Sequence, residues 1–163
     1  MRVRDARETD LSAIVAIYNG AVPGRLATAD LEPVSVDSRR AWLAAHGAGR
    51  HPLWVAVDAD AVVGWLSLSE FYGRCAYAST VEVSVYVATA AQRRGVAAAL
   101  LAHMLGAAPA LGIEAVLGFV FGHNRPSLDL FAKFGFARWG TLPRVAELDG
   151  VKRDLVIVGR HVG

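Results

Sequence analysis

An α/β fold is the architecture this sequence predicts, and three observations carry the prediction. Stretches alternating with period two, as in Val81, Val83, Val85 and Val87, take turns with stretches of helical spacing, as in Leu11, Ile14, Val15 and Tyr18. Gly, Pro, Asp and Asn punctuate the changes of period. The 163 residues, 54% of them hydrophobic, suffice for one substantial core and not for two. No internal repeat, low-complexity tract or Ser/Gly linker marks a boundary, so residues 1–163 read as a single domain.

The elements follow in order. "VRDA" near the start makes a short strand, and Thr9 or Asp10 is placed to cap the helix whose face holds Leu11, Ile14, Val15 and Tyr18. After the looser "GAVPGRLATADLEPVSV", Asp37 is placed to cap a second helix carrying Trp42 and Leu43, with Gly47 as its stop. "LWVAV", the turn "DADA" and "VVGWLSLSEF" form a hairpin, and "STVEVSVYV" is a further strand. A helix runs from Gly95 to about Ala108, the strand "EAVLGFVF" comes next, and a short helix at "RPSLDLFAKF" stops at Gly135. Closing strands lie near "FARWG" and "DLVIVGR".

Composition narrows the function before any motif does. A formal charge of +2 falls well short of the Lys and Arg excess of a nucleic-acid-binding surface, and Arg39-Arg40 and Arg93-Arg94 have no basic run around them. No nucleic-acid partner is expected. One cysteine, Cys75, leaves no internal disulfide and no all-cysteine metal site. His46, His51, His103, His123 and His161 show no zinc spacing, so no metal is expected. "MRVRDARETD" has no apolar targeting region and no apolar run reaches membrane-spanning length, which points to a cytoplasmic protein with no membrane partner.

The junction Gln92-Arg93-Arg94-Gly95-Val96-Ala97 joins a strand to a long Ala/Leu helix. Such a junction leaves the first helical N–H groups unpaired, where the helix dipole also favours negative charge. Gly95 and Ala97 keep bulk away from that backbone, and Arg93 and Arg94 add positive charge beside it, which suits a pyrophosphate. Neither G-x-x-x-x-G-K-[ST] nor a G-x-G-x-x-G directly after a strand is present, so nucleotide hydrolysis and dinucleotide binding lose support.

The run "TVEVSVYVATAAQRRGVAAALL", with "GHNRPSLDLFAKFGFARWGTLPRVAELDGVKRDLVIVGR" after it and "IVAIYNGAVPGRLATADLEPV" before it, resembles the GNAT N-acetyltransferases over nearly the whole chain. Within them it resembles the phosphinothricin acetyltransferase-like branch. The resemblance implies the GNAT acyl-CoA N-acyltransferase fold: a mixed, mostly antiparallel sheet flanked by helices, with "VEVSVYV" and "AVLGFVF" as splayed central parallel strands. It implies acetyl-CoA as co-substrate, its pyrophosphate held by Gln92, Arg93, Arg94, Gly95, Val96 and Ala97. The main chain around Val85 and Val87 would hold the pantetheine arm and polarise the thioester carbonyl, with Asn124 and Ser127 beside the arm as the N-x-x-S element. Asn124 or Arg125 also suits the cap of the helix in which Pro126 occupies the first turn.

An ammonium has no lone pair to attack a thioester, so the acceptor amine needs a base. Glu82, on the strand face of Ser84 and Tyr86, matches the branch's general base, and an α-amine of pKa roughly 8 is within a carboxylate's reach. Where many members carry an acidic tyrosine this chain has Phe131, which leaves Tyr86, Ser127 or water to protonate the thiolate. "EFYGRCAYASTVE" resembles the branch's R-x-A-Y loop, implying that Arg74 holds a carboxylate while Phe71, Tyr72 and Tyr77 shape a small pocket. Tyr18, Asn19 and Thr28 would close it, and Cys75 reads as packing. The expected activity is N-acetylation of the α-amine of a small amino acid or analogue, of the phosphinothricin or methionine sulfoximine type, by direct attack in a ternary complex. The alternatives are a peptide or protein N-terminal acetyltransferase and a non-catalytic acyl-CoA-binding sensory domain. Resemblance also implies a homodimer; the apolar, Trp-containing "FARWGTLP" is available to an interface, although core packing is the simpler reading of that segment.

Overall fold

Alternation and turn chemistry produce seven strands among the described residues: β1 (Arg2–Asp5), β2 (Leu53–Asp58), β3 (Ala61–Glu70), β4 (Thr80–Val87), β5 (Ala115–Phe121), β6 (Ala137–Leu148) and β7 (Val151–His161). The computed structural model describes residues 1–47 and 49–163. The strands form one mixed sheet in the order β1-β2-β3-β4-β5-β7-β6, antiparallel at every neighbour except the central parallel pair β4–β5. Tight turns with left-handed backbone close the two hairpins, at Ala59-Asp60 between β2 and β3 and at Asp149-Gly150 between β6 and β7.

Among the described residues four α-helices cover the sheet: α1 (Leu11–Ala21), α2 (Arg40–Ala44), α3 (Val96–Ala107) and α4 (Arg125–Lys133). Because successive strand residues face opposite ways, β4 feeds two cores. Val81 and Val83 join Leu66, Leu100, Met104 and Phe131 beneath α3 and α4, while Tyr86 joins Trp65, Ile14 and Ile17 beneath α1, with Trp42 of α2 packed against them. At the start of α3 the approach to the sheet is close. A Cβ built on Gly64 of β3 would lie 2.7 Å from Val96 Cγ1, so a side chain there would push the N-terminus of α3 away from β3.

Three local expectations are corrected. Neither Thr9 nor Asp10 caps α1. The Asp10 carboxylate instead accepts both guanidinium N–H groups of Arg4, at 2.8 and 3.0 Å, and the Arg7 backbone N–H at 2.7 Å. The bond to Arg4 holds the Asp10 carboxyl below its usual range. Asp37 does not cap the second helix either: Ser35 accepts the Ser38 N–H at 3.2 Å, Asp37 pairs with Arg40, and α2 ends at Ala44, before Gly47. The closing strands are longer than their sequence cores, because β6 continues through Pro143 by way of a register shift between Leu142 and Ala146. Irregular pairing is where a strand can accept a residue with no N–H.

Candidate active site

The parallel pair is the origin of the site. β4 and β5 are in register only at Thr80 with Ala115, Val81 with Val116 and Glu82 with Leu117. Beyond these the strands part, while β4 stays paired to β3 and β5 to β7. Ala88 donates its N–H to Val63 O at 2.9 Å, and bonded pairs recur at every second residue of an antiparallel ladder. The main chains of Tyr86, Ser84 and Glu82 are therefore spent on β3, and those of Val83, Val85 and Val87 turn toward the gap. A cavity of about 380 Å³ fills it, lined among others by Val85, Phe119, Phe121, Ser127 and Phe131. Gly118 sits where the strands part, and a Cβ there would stand 3.1 Å from Val158 and 3.6 Å from Val83. Main-chain N–H and C=O groups turned into a narrow gap suit an extended ligand carrying amides of its own.

At the far end of β4 the chain turns into α3. Arg93 and Gly95 both have left-handed backbone, at φ 62° and 79°. Ala99 N–H to Gly95 O, at 3.0 Å, is the first bond of the helix, and the N–H groups from Gly95 to Ala98 find no partner among the described residues. A Cβ on Gly95 would meet nothing within 4 Å, so glycine is required here by the sign of φ, with open space in front of the unpaired N–H groups. Arg94 pairs with Asp58 at 3.1 Å, while Arg93 makes no ion pair among the described residues. Gln92, Arg93 and Arg94 are exposed beside Gly95, Val96 is buried and Ala97 is half-buried. The arrangement can bind a phosphate-type anion.

Glu82 lines the same cavity, at the point where the strands separate. Burial pushes its carboxyl above the usual range, with no ion pair to offset it. A half-buried carboxylate with no internal partner can take a proton from a group brought against it.

The segment between α1 and α2 crosses over the cavity and is pinned from several elements. Tyr86 Oη donates to Ala27 O at 3.1 Å, Asn124 Nδ2 to Leu26 O at 3.1 Å and Arg25 Nε to the Asp149 carboxylate at 2.9 Å. His123 Nε2 lies 2.9 Å from Arg25 O. Tyr18 donates to Asp30, and Thr28 bonds the same phenol at 2.6 Å. Leu26, Thr28 and Ala29 thereby become lining residues.

Other candidates from the sequence fall into four groups. Asn124 is buried against the cavity, and its amide works at both ends: Oδ1 caps α4 by accepting the Ser127 N–H at 3.2 Å, and Nδ2 holds Leu26. Asn19 braces the loop, its amide exchanging two bonds with the Val34 main chain at 2.8 and 2.9 Å. Phe71, Tyr72 and Tyr77 cluster with one another, Tyr77 edge-on to the other two rings, and with Arg74 they belong to a loop that lines neither this cavity nor the one beneath α1 and α2. Tyr86, a sequence-stated source of the leaving-group proton, has its pKa driven far up by burial and its hydroxyl committed to Ala27. Sequence reading missed Gly118, whose place within an otherwise apolar strand was its signal, and the lining by Leu26, Ala27 and Ala29.

Among the described residues there is no group of three or more His, Cys, Asp or Glu that could hold a metal ion, and no helix is long and apolar enough to cross a membrane.

A parallel strand pair that splays beside a helix N-terminus, with a carboxylate at the point of parting, forms a cleft suited to an extended anionic ligand laid along the backbone. The chain belongs to the Acetyltransferase (GNAT) family, whose model matches residues 11–136. Bacillus subtilis (strain 168) YwnH, provisionally named a phosphinothricin acetyltransferase, is 48% identical over 163 residues, covering 99% of each chain. An L-methionine sulfoximine/L-methionine sulfone acetyltransferase of Pseudomonas paraeruginosa is 32% identical over 157 residues, 96% of this chain and 91% of that one. The crystal structure of a GNAT phosphinothricin acetyltransferase from Sinorhizobium meliloti, in complex with AcCoA, superposes with a TM-score of 0.94 at 29% identity, over 99% of this chain and 88% of that chain.

Proposed function

We propose that the protein transfers the acetyl group of acetyl-CoA to the α-amine of a small amino acid or analogue, of the phosphinothricin or methionine sulfoximine type, by direct attack in a ternary complex. The observation that carries this reading is the pairing of two features in one cavity: main chains of Val83, Val85 and Val87 turned into the gap, and Glu82 at its apex without a partner. Gly95, Val96 and Ala97 offer backbone N–H groups to the pyrophosphate, and Gln92, Arg93 and Arg94 flank it. The pantetheine amides bond the main chain at Val85 and Val87, and a main-chain N–H there polarises the thioester carbonyl. Asn124 holds the roof over the arm, with Ser127 at its side.

Glu82 collects the amine proton, directly or through one water, as the nitrogen attacks the carbonyl carbon and the C–S bond breaks. The CoA thiolate leaves and is protonated by Ser127 or water. Pinning of the loop through Tyr18, Thr28 and Asn19 supports a small acceptor, because it narrows the approach to Glu82. A homodimer forms part of the proposal: Trp139, Leu142, Val145 and Val151 are exposed apolar residues on β6 and β7, and Tyr72 and Tyr77 on the loop that carries Arg74. Light scattering in solution measures that state.

The test is CoA release from acetyl-CoA across free amino acids, phosphinothricin, methionine sulfoximine, polyamines and short peptides, with product mass establishing N-acetylation. Turnover confined to amino acids and analogues supports the proposal. Preference for peptides overturns the acceptor class. Acetyl-CoA binding without turnover of any acceptor overturns the enzymatic reading.

A further inference from the structure

Glu82 stands between two compartments of unlike chemistry. On its β3 side a second cavity, of about 200 Å³, lies beneath α1 and α2, where Ser67, Ser69, Ser84 and Arg39 supply polar groups. On its β5 side the gap opens, on the same face of the sheet, into an apolar chamber. Glu82 is in register with Leu117, so Phe119 and Phe121 further along β5 share its face, and Phe121 lies directly across from Leu155 of β7. Ala146 of β6 continues that face, set across from Arg153 two residues before Leu155. Phe119, Phe121, Ala146 and Leu155 all line the cavity, with Leu26 and Ala27 of the covering loop, and Glu82 is its only charged lining residue among those described. A Cβ on Gly118 would point the other way, toward Val83 and toward Phe131 of α4. The cover of the chamber is held open from both sides of the gap. Three successive carbonyls, of Arg25, Leu26 and Ala27, face His123 Nε2 at 2.9 Å, Asn124 Nδ2 at 3.1 Å and Tyr86 Oη at 3.1 Å, which keeps the loop from collapsing onto the strands.

We propose that this chamber receives the acyl chain of the donor, so that the protein uses short straight-chain acyl-CoAs such as propionyl- and butyryl-CoA as well as acetyl-CoA, and forms the corresponding N-acyl amino acids. The proposal rests on the N-acetyltransferase reading above and widens it on the donor side. The backbone of the gap grips the pantetheine arm, the part that every acyl-CoA shares. A thioester carbonyl held by that backbone beside Glu82 sends the acyl carbons past the sheet, onto the face of Phe119 and Leu155. An amino acid is charged at its amine and its carboxylate, and burial against Phe119, Phe121 and Leu155 would leave those groups unpaired, so the apolar side falls to the acyl chain. Chain length changes no step of the transfer. The amine nitrogen bonds the carbonyl carbon, the C–S bond breaks with its electron pair on the CoA sulfur, and the amine proton passes to Glu82.

Calorimetric titration of acetyl-, propionyl- and butyryl-CoA reads the chamber without turnover. Each added methylene is expected to tighten binding by about two- to fourfold. With the amino acid or analogue that turns over fastest in the panel above, kcat/KM for butyryl-CoA is expected to stay within about tenfold of that for acetyl-CoA. Ala146→Phe, which fills the chamber, is expected to weaken butyryl-CoA about tenfold more than acetyl-CoA in both binding and kcat/KM, and Ala146→Ser, which leaves the space open, to keep the wild-type ratio. A retained melting-temperature rise with CoA itself checks that each variant is folded with its donor backbone intact. Butyryl-CoA bound at least about tenfold more weakly than acetyl-CoA by wild type, or equal losses for the two donors in Ala146→Phe, would overturn the chamber assignment while leaving the transferase reading standing. If no acyl-CoA, acetyl-CoA included, donates to any amino acid or analogue, the transferase reading fails and this proposal with it.

Discussion

The two faces of the site are built by different means. The gap between β4 and β5 is made of backbone, its recognition groups set by the register of one ladder and by the left-handed turn at Gly95. The face beneath α1 and α2 is made of side chains, gathered from β3, β4, α1, α2 and the loop between the helices. Backbone recognition tolerates most side-chain substitutions and fails where main-chain geometry changes. Side-chain recognition behaves in the opposite way. One sheet can therefore keep a constant donor while its acceptor varies.

The largest expected effect breaks the backbone half. Gly95→Asp puts a carboxylate into the open space before the N–H groups of α3 and forces a left-handed φ on a residue with a Cβ. Acetyl-CoA affinity should fall at least ~100-fold, about 2.7 kcal/mol, by calorimetric titration. Unchanged affinity would remove the pyrophosphate assignment. A smaller effect sharpens the contrast from the other side. Asn19→Ala releases Val34, a lining residue of the second cavity, without touching the gap between the strands. Acceptor KM should rise about three- to tenfold, with acetyl-CoA affinity and kcat within about twofold. A parallel loss of donor affinity would show that the two halves are not separable.

The smallest effect is one of stability. Burial raises the Glu82 carboxyl above its unfolded value, so its ionised form costs stability in the fold. Its favourable contribution is complete below the unfolded pKa of about 4.3 and is lost as pH rises through the folded value. Glu82→Gln should therefore melt slightly higher than wild type near pH 8, with the gap closing below about pH 4. A variant less stable at pH 8 would mean that Glu82 has a structural partner.

The same division explains what could be read from the sequence. The donor half was legible because its determinants are local: the valine alternation of β4, and a glycine directly after two arginines at the start of an Ala/Leu helix. The loop that covers the gap was not, because Asn124 reaches Leu26 across 98 positions and Tyr86 reaches Ala27 across 59. Asp10 was misread as a cap for a related reason, since Arg4 on the preceding strand captures its carboxylate. The long β6–β7 hairpin was hidden by Pro143, although the Asp149-Gly150 turn that closes it stood in plain view.

Glu82 stands where β4 and β5 part, and the most direct measurement is kcat against pH for wild type and Glu82→Gln at saturating acetyl-CoA and amino acid. At saturation the profile reports groups in the ternary complex. Wild-type kcat should fall on the acid side with an apparent pKa above the ordinary carboxylate range. Glu82→Gln should lose that limb, and about 10²-fold in kcat near neutral pH, while binding acetyl-CoA as before. A glutamine variant with full kcat and an unaltered acid limb would contradict the assignment of Glu82 as the base.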